Sequence, residues 1–447
     1  MTITSQLDFG LAPKPSGLDR VADRRSSVDA DACPEAFSLD SKRRVLTRHV
    51  RLRDGRVATS SLPLIQLPRK LALHQAELAA LADVSFLRSA HWPRTKADAP
   101  TIRVADLFSG CGAMSLGVWE AARAVGCRME PAVALDVSLP AIGVYKRNFP
   151  AATTLTDPIE NHLDGEIGKP ATRAEKAFFA SVQPIHLLIG GPPCQGHSNL
   201  NNHTRRDDPK NRLYARMARF AELVGPPSII IENVSAVLHD RGRVVDHTIG
   251  VLLRLGYKVD HAVVEVSALG IAQRRSRHIM VASLNITPAV ERTVAIYARG
   301  VRSVKWAIGD LASIRKPRSP FDTASNSSRE NQKRIAWLFE HDEHDLPDRL
   351  RPDCHKLKEH SYRSVYGRMH WGKPSQTITS GFTSMGQGRY VHPSEPRTIT
   401  PHEAARLQFI PDFFEFGEQT PRTALSEMIG NAVPTKLSYV LAVELLR

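Results

Sequence analysis

The chain has few of the features that build extracellular, membrane or metal-centred proteins. Its 447 residues include only five cysteines, Cys33, Cys111, Cys127, Cys194 and Cys354, with no Cys-x-x-Cys pair. That excludes a disulfide framework and suits a reducing compartment. Cys354-His355 with His360 and His370, or His341 with His344, offer isolated zinc ligands, but no second matched pair completes a tetrahedral set, so no metal is expected. No apolar run approaches the roughly 20 residues that span a bilayer. Met1 to Arg20 also lacks the charged-then-apolar pattern of a secretory leader. A cytoplasmic protein is expected, with no membrane association. Acidic residues are short as well, 46 against 60 Lys and Arg, leaving a formal net charge of +14. Such an excess bears on association rather than on fold, and it points to a polyanionic partner, nucleic acid foremost.

What is present falls into blocks. The first forty or so residues are polar and aperiodic and are expected to be disordered. Lys42 to Arg53 alternates apolar and basic residues, as a half-exposed strand would, with solvent or a DNA backbone outside. A helix is predicted over Leu71 to Ala82. Residues 1–100 thus read as a basic extension without an assigned function.

From Thr101 the texture changes to alternating strands and helices. Strands are predicted at Ile102 to Phe108, Ala132 to Asp136, Ile185 to Ile189 and Ile229 to Ile231. This alternation indicates an α/β fold with a doubly wound, mostly parallel, Rossmann-like sheet. The helix Leu213 to Val224 buries Leu213, Met217, Phe220 and Val224, leaving Arg216 and Arg219 to face elsewhere. Tyr257 to Leu269 and Arg277 to Leu284 form a candidate antiparallel hairpin at the sheet edge. Loops and charge runs fill residues 290–388, read as a separate, smaller, loop-rich domain. Thr400-Pro401-His402-Glu403 has the form of a capping box opening a helix to Phe409, and an amphipathic helix, Pro434 to Arg447, closes the chain.

Two stretches carry chemistry. In Gly190-Gly191-Pro192-Pro193-Cys194-Gln195-Gly196-His197-Ser198 a thiol follows two prolines at the end of a buried strand, where open α/β sheets place their sites. Proline fixes its own φ and restricts its predecessor, so the backbone that presents the thiol is preset. Alone, this is equally a structural cysteine in a tight turn. The second stretch, Asp106-Leu107-Phe108-Ser109-Gly110-Cys111-Gly112, leaves the first strand and opens a helix, with Asp136 ending the next strand where an acid can bind ribose hydroxyls. The third dinucleotide glycine is absent and Asp106 precedes the loop. An acid there repels a pyrophosphate and attracts an amino group, which favours S-adenosyl-L-methionine over NAD.

Six segments in order are similar to the motifs of the DNA cytosine-5 methyltransferase family of bacterial type: Asp106 to Gly117, Gly190 to Ser198, Ile231 to Val234, Gln273 to Arg277, Arg397 to Gln408, and Gly430 to Pro434. The resemblance covers about Thr101 to Arg447. It implies a catalytic domain over 101–289, a target-recognition domain over 290–388, and a return to the catalytic domain over 389–447. It also implies that Cys194, flanked by Pro193 and Gln195, adds to carbon 6 of an extruded cytosine, because carbon 5 is too poor a nucleophile to take a methyl group unaided. Glu232 would supply a proton near N3, with Asn233 supporting the loop. Gln273, Arg275 and Arg277 alternate on one strand face, Arg277 reaching the cytosine carbonyl oxygen and Arg275 helping to hold it and the catalytic loop. Ser198, Arg205, Arg206 and Thr377 join Gln273 as DNA contacts.

For the cofactor, the resemblance implies that Phe108 packs on adenine and that the loop of Ser109, Gly110, Cys111 and Gly112 cradles the methionine part. Asp136 would take the ribose, Asp157 the adenine amino group, and Asn431 returns to the same pocket. Ala113 stands where glycine is common and Pro158 where isoleucine is usual. A monomer acting on double-stranded DNA is expected, as a restriction-system partner with a cognate endonuclease or as a solitary methylase. A tRNA cytosine-5 methyltransferase is the competitor, although this chain reads Gly381-Phe382-Thr383 where that branch carries Cys-Phe-Thr. A catalytically inactive DNA-binding regulator is the other. Enzymes that methylate exocyclic amines place an aromatic residue where Cys194 stands.

Overall fold

The computed structural model describes residues 33–65, 68, 72–150, 152–193, 213–240, 242–313, 319–353 and 365–447. Their centre is a seven-stranded sheet. Strands β4 (Thr101–Leu107), β5 (Arg128–Leu135), β6 (Thr153–Leu155), β7 (Leu187–Gly190) and β8 (Ser228–Val234) run parallel, and β9 (Lys258–Glu265) and β10 (Ser276–Ser283) form an antiparallel hairpin. The order across the sheet is β6-β5-β4-β7-β8-β10-β9, so β10 is inserted antiparallel beside β8 and β9 is the edge. The central strands are mostly apolar, as strands covered on both faces must be, with polar residues such as Asp106 and Glu232 toward their ends. Their side chains divide between two cores. Val104, Leu187, Ile189 and Ile230 pack with helices Ala113–Ala124, Leu139–Asn148 and Thr435–Leu446. Ala105, Leu188, Ile229 and Ile231 pack with helices Arg173–Val182, Tyr214–Val224 and Val244–Arg254 on the other face. The doubly wound fold follows from that alternation.

The expected strands and the edge hairpin are present; β6, only three residues long, had no periodicity to announce it. The helix expected over Leu71 to Ala82 runs instead over Gln75–Leu87. Disorder expected to about residue 40 is corrected for its last part. Strand β1 (Glu35–Asp40) pairs antiparallel with β2 (Val45–Arg51), which pairs with β3 (Val57–Pro63). Phe37, Leu46, Val50 and Leu62 bury the inner face of this three-stranded layer in the same core as helices 113–124 and 435–446. Residues 1–32 lie outside the described set.

That layer explains a second correction. The last helix is buried around its circumference from Thr435 to Val443 rather than amphipathic, because the layer covers the face that would otherwise meet solvent. Arg48, read as part of a solvated basic strand, is 3% exposed and ion-paired to Glu35 and Glu120. Arg219, expected to face away from the core, is wholly buried and forks onto Glu175 at 2.8 and 2.7 Å. In both cases a distant carboxylate makes burial of the guanidinium tolerable.

Residues beyond 290 are partly helical. Helix Val290–Ile296 belongs to the sheet, its first N–H donating to Asp260 Oδ2 at 2.6 Å, so the loop-rich part begins after it. Farther on, helix Arg329–Glu340 packs into a small core of Ile335, Leu338, Leu346, Val365, Tyr366, Met385 and Val391. Helix Pro401–Leu407 has the expected capping box, with Thr400 and Glu403 bonding reciprocally. Among the described residues no helix is long and apolar enough to cross a membrane.

Candidate active site

The site is assembled where β4, β5, β7, β8 and β10 meet their loops. Gly190 ends β7 because nothing larger fits: an added Cβ would lie 2.6 Å from the Leu107 carbonyl and 2.8 Å from Met217. At Gly191 a Cβ would stand 3.4 Å from Glu232 Oε2, so the turn after β7 passes in contact with that carboxylate. The Asn233 side-chain amide donates to the Pro192 carbonyl at 3.2 Å, tying the end of β8 to the proline pair. The structure thus brings Glu232 and Asn233 against the Gly191–Pro192 turn that leads into Pro193. Cys194, Gln195, Ser198, Arg205 and Arg206 lie outside the described residues, which stop at Pro193 and resume at Leu213.

Antiparallel pairing sets Arg277 opposite Val234. Its Nε reaches Glu232 Oε1 at 2.8 Å, with the two side chains 12% and 10% exposed. A carboxylate and a guanidinium thus lie side by side on neighbouring strand ends. Tyr214 completes this corner and was not singled out by the sequence. Burial, and then the charge of Glu232, push its phenol well above the usual range.

Gln273 and Arg275 are placed differently from expectation. β10 begins only at Ser276, so of the three alternating residues Arg277 alone lies on the strand. Gln273 is fully buried, donating to the Leu407 carbonyl and Gln408 Oε1 and accepting from the Ile378 N–H at 2.7 Å. In this conformation it presents nothing to a substrate. Arg275 is 3% exposed and donates to the carbonyls of Ile378, Gly430 and Ala432 at 2.7, 3.3 and 3.2 Å. It therefore fastens the segment closing the loop-rich region to the two residues flanking Asn431. Thr377, partly exposed, donates its hydroxyl to the Arg274 carbonyl at 2.9 Å.

The loop after β4 turns through left-handed conformations at Phe108, Gly110 and Gly112. Gly112 must be glycine, since a Cβ would sit 2.8 Å from the Tyr145 ring. Around Gly110 the space is open. Asp136 holds the loop, accepting from the N–H of Gly110 at 2.8 Å and of Ser138 at 2.9 Å. Val137 and Leu139 beside it are 69% and 70% exposed, an apolar rim next to a carboxylate. Ser109 Oγ is buried with no partner among the described residues. Cys111 is buried, and its thiol is pushed up to about 12, which makes it inert. Asp157 is half-exposed, with His162 Nε2 at 3.4 Å. Asn431 is exposed at the last position of helix Arg422–Asn431.

Asp106 lies deeper than the sequence implied, 1% exposed, accepting from Ser115 Oγ at 2.6 Å, which in turn meets the Tyr145 hydroxyl at 2.8 Å. Burial raises its pKa to about 7, against the lowering effect of Ser115. Ser115 lies nine residues beyond Asp106, and only the fold brings the two together. An open glycine turn, an orphaned hydroxyl, a carboxylate and an apolar rim fit a ligand with an adenine, a ribose and an amino-acid end.

Comparisons with known proteins bear on the family and the fold. Residues 102–447 match the family of C-5 cytosine-specific DNA methylases. The chain is 45% identical to the type II methyltransferase M1.BsuMI of Bacillus subtilis (strain 168), over 90% of this chain and 93% of that protein. It is 34% identical to the type II methylase M.HgiDII of Herpetosiphon aurantiacus, over 57% of this chain and 74% of that one. Among solved structures, Dnmt2 methyltransferase of S. pombe superposes with a TM-score of 0.55 at 17% identity, covering 77% of this chain and 98% of that one. A prophage-encoded DNA modification methyltransferase of E. coli gives 0.53 at 22%, covering 76% and 97%. At those identities the structures speak for the fold alone.

Proposed function

The chain belongs to the C-5 cytosine-specific DNA methylase family, and on that premise we propose how its own residues carry out cytosine-5 methylation. The observation that carries the assignment is the Glu232–Arg277 pair, 2.8 Å apart, against the turn that leads from Gly190 to Cys194. The target base leaves the duplex and enters this corner. Arg277 holds the cytosine carbonyl oxygen through its remaining N–H groups. The Cys194 thiolate forms a bond to carbon 6, and Glu232 delivers a proton to N3, which takes up the charge that addition places on the ring. Carbon 5 thereby becomes nucleophilic. After methyl transfer a base takes the carbon-5 proton, the C6–S bond breaks to release the Cys194 thiolate, and the N3 proton returns to Glu232, which restores the aromatic ring.

S-adenosyl-L-methionine, when bound, supplies an electrophilic methyl group on a sulfonium centre. Phe108 and Val137 would flank its adenine, Asp136 its ribose, Asp157 the adenine amino group, and the 109–112 backbone with Asn431 the amino-acid end. Asp106, beneath the loop, sets Ser115 and Tyr145 under that end rather than lying open to it. Arg275 and Gln273 act by holding the walls. The surplus of positive charge supports double-stranded DNA as substrate. We assign the chain, acting as a monomer, to the modification side of a restriction system with a cognate endonuclease, on the strength of its likeness to type II methyltransferases.

Incubating purified protein and labelled methyl donor with duplex DNA and with tRNA, followed by nucleoside analysis, tests the assignment. 5-Methylcytosine in DNA alone is expected. Label in tRNA, or at an exocyclic amine, would overturn it.

A further inference from the structure

The N-terminal layer lies outside the matched family region, yet it grips both helices that lead from the cofactor pocket. We propose that it is a clamp on that pocket, and that Arg48, Asp83 and Lys436 are positioning residues for cofactor binding. This rests on the reading that the 109–112 loop and Asn431 hold S-adenosyl-L-methionine.

Helix 113–124 starts directly from Gly112 and helix 435–446 starts four residues after Asn431, so each carries one wall of the pocket. They cross at Gly117, where an added Cβ would collide with Ser438 Oγ and the Thr435 carbonyl. From β2, Arg48 donates to Glu120 on the first helix at 2.7 Å and contacts Glu35 Oε1 at 3.0 Å. Glu35 in turn accepts from the Tyr439 hydroxyl on the second helix and from Arg299 at 2.9 Å. From helix 75–87, Asp83 receives Lys436 Nζ at 2.7 Å, with both side chains at most 6% exposed. Arg123 adds a bond to the Ser61 carbonyl of β3 at 3.0 Å. The space left among Arg48, Asp83, Glu120, Thr435 and Lys436 is about 10 Å³, no more than one water requires.

Buried ion pairs of this kind fix geometry strictly, because displacing either partner leaves a charge without compensation. The spacing between Gly112 and Asn431 is thereby set from outside the catalytic domain. The Bacillus subtilis relative supports a role tied to the enzyme: it aligns with 90% of this chain, more than residues 102–447 can supply, so part of the layer is shared with it.

The test uses the full chain and measures S-adenosylhomocysteine binding by calorimetry alongside kcat and the KM for each substrate. In Lys436→Met the dissociation constant is expected to rise about ten- to a hundredfold, the scale of a sub-ångström to 1 Å misplacement. The KM for the methyl donor should rise with it, while the KM for DNA and kcat at saturating donor stay within about twofold. Asp83→Asn combined with Lys436→Met removes both charges and should recover most of the affinity. Should Lys436→Met not fold, Arg48→Lys, which keeps the charge but not the two-armed contact, is expected to give the same KM-specific change on a smaller scale.

Unchanged affinity in these variants, or a fall in kcat with both KM values constant as a lost folded fraction would give, overturns the clamp. Asp136→Ala separates the two readings. If the wild type binds and Asp136→Ala weakens binding while Lys436→Met does not, the clamp alone fails. If Asp136→Ala binds like the wild type, the pocket assignment fails and the clamp with it.

Discussion

Glu232 with Arg277, and Glu35 with Arg48, are the same two residue types in contact, at 2.8 and 3.0 Å. Their surroundings differ. Glu35 is sealed, its carboxylate shared among Arg48, Arg299 and Tyr439. Glu232 has Arg277 on Oε1 and turns Oε2 toward the Gly191 turn. A pair saturated by protein partners can only hold the fold together; one whose second carboxylate oxygen accepts no hydrogen bond from the described residues can act on a substrate. The contrast teaches that residue type does not separate machinery from scaffold, whereas unspent hydrogen bonds do.

The contrast can be broken at either end. Glu232→Gln should lower single-turnover methyl transfer about 10²–10⁴-fold, the range for a general acid, with thermal stability nearly unchanged. Retention of full rate would make Glu232 one more structural acid. Glu35→Gln should do the reverse. It leaves Arg299 without its carboxylate and Arg48 with Glu120 alone, and should cost about 3–5 kcal/mol of stability by urea titration, with kcat preserved at saturating substrates. A third set, His402 between Asp322 and Asp412 at 2.9 Å from each, lies between the extremes. Burial opposes its charge, but the two carboxylates win and raise its pKa above 6.5. Its contribution is therefore complete below pH 6.5 and is lost as pH rises through the raised folded value. Stability should fall over that interval, and His402→Gln should flatten the fall. The smallest change is expected from Thr400→Ala, which removes one half of the capping box and should lower stability by about 1 kcal/mol without a pH dependence.

Much of the working corner was legible because its residues lie in short segments with local physical meaning. The glycine turn after β4 and the proline pair after β7 follow from strand ends and turn chemistry, whereas the acid of β8 and the arginine at the start of β10 were legible only through the family resemblance. The scaffold was less legible, since its partners lie far apart in sequence. Arg48 and Glu120 are 72 residues apart and Glu35 and Arg299 are 264 apart. No periodicity announces such pairs, so Arg48 and Arg219 read as solvated charges. Gln273 and Arg275 misled for a related reason. Polar residues beside a motif suggest substrate contacts, yet among the described residues Gln273 bonds Leu407, Gln408 and Ile378, and Arg275 bonds the carbonyls of Ile378, Gly430 and Ala432. The last helix looked amphipathic because the layer that covers it comes from the opposite end of the chain.

The central claim is that Cys194 bonds covalently to carbon 6 of the target cytosine. DNA containing 5-fluorocytosine tests it most directly, because fluorine at carbon 5 cannot leave as the proton does and the thiol remains attached after methyl transfer. With methyl donor present, denaturing electrophoresis should show a stable protein–DNA adduct that Cys194→Ala abolishes. No adduct from the wild-type chain, or one that persists in Cys194→Ala, would contradict the account.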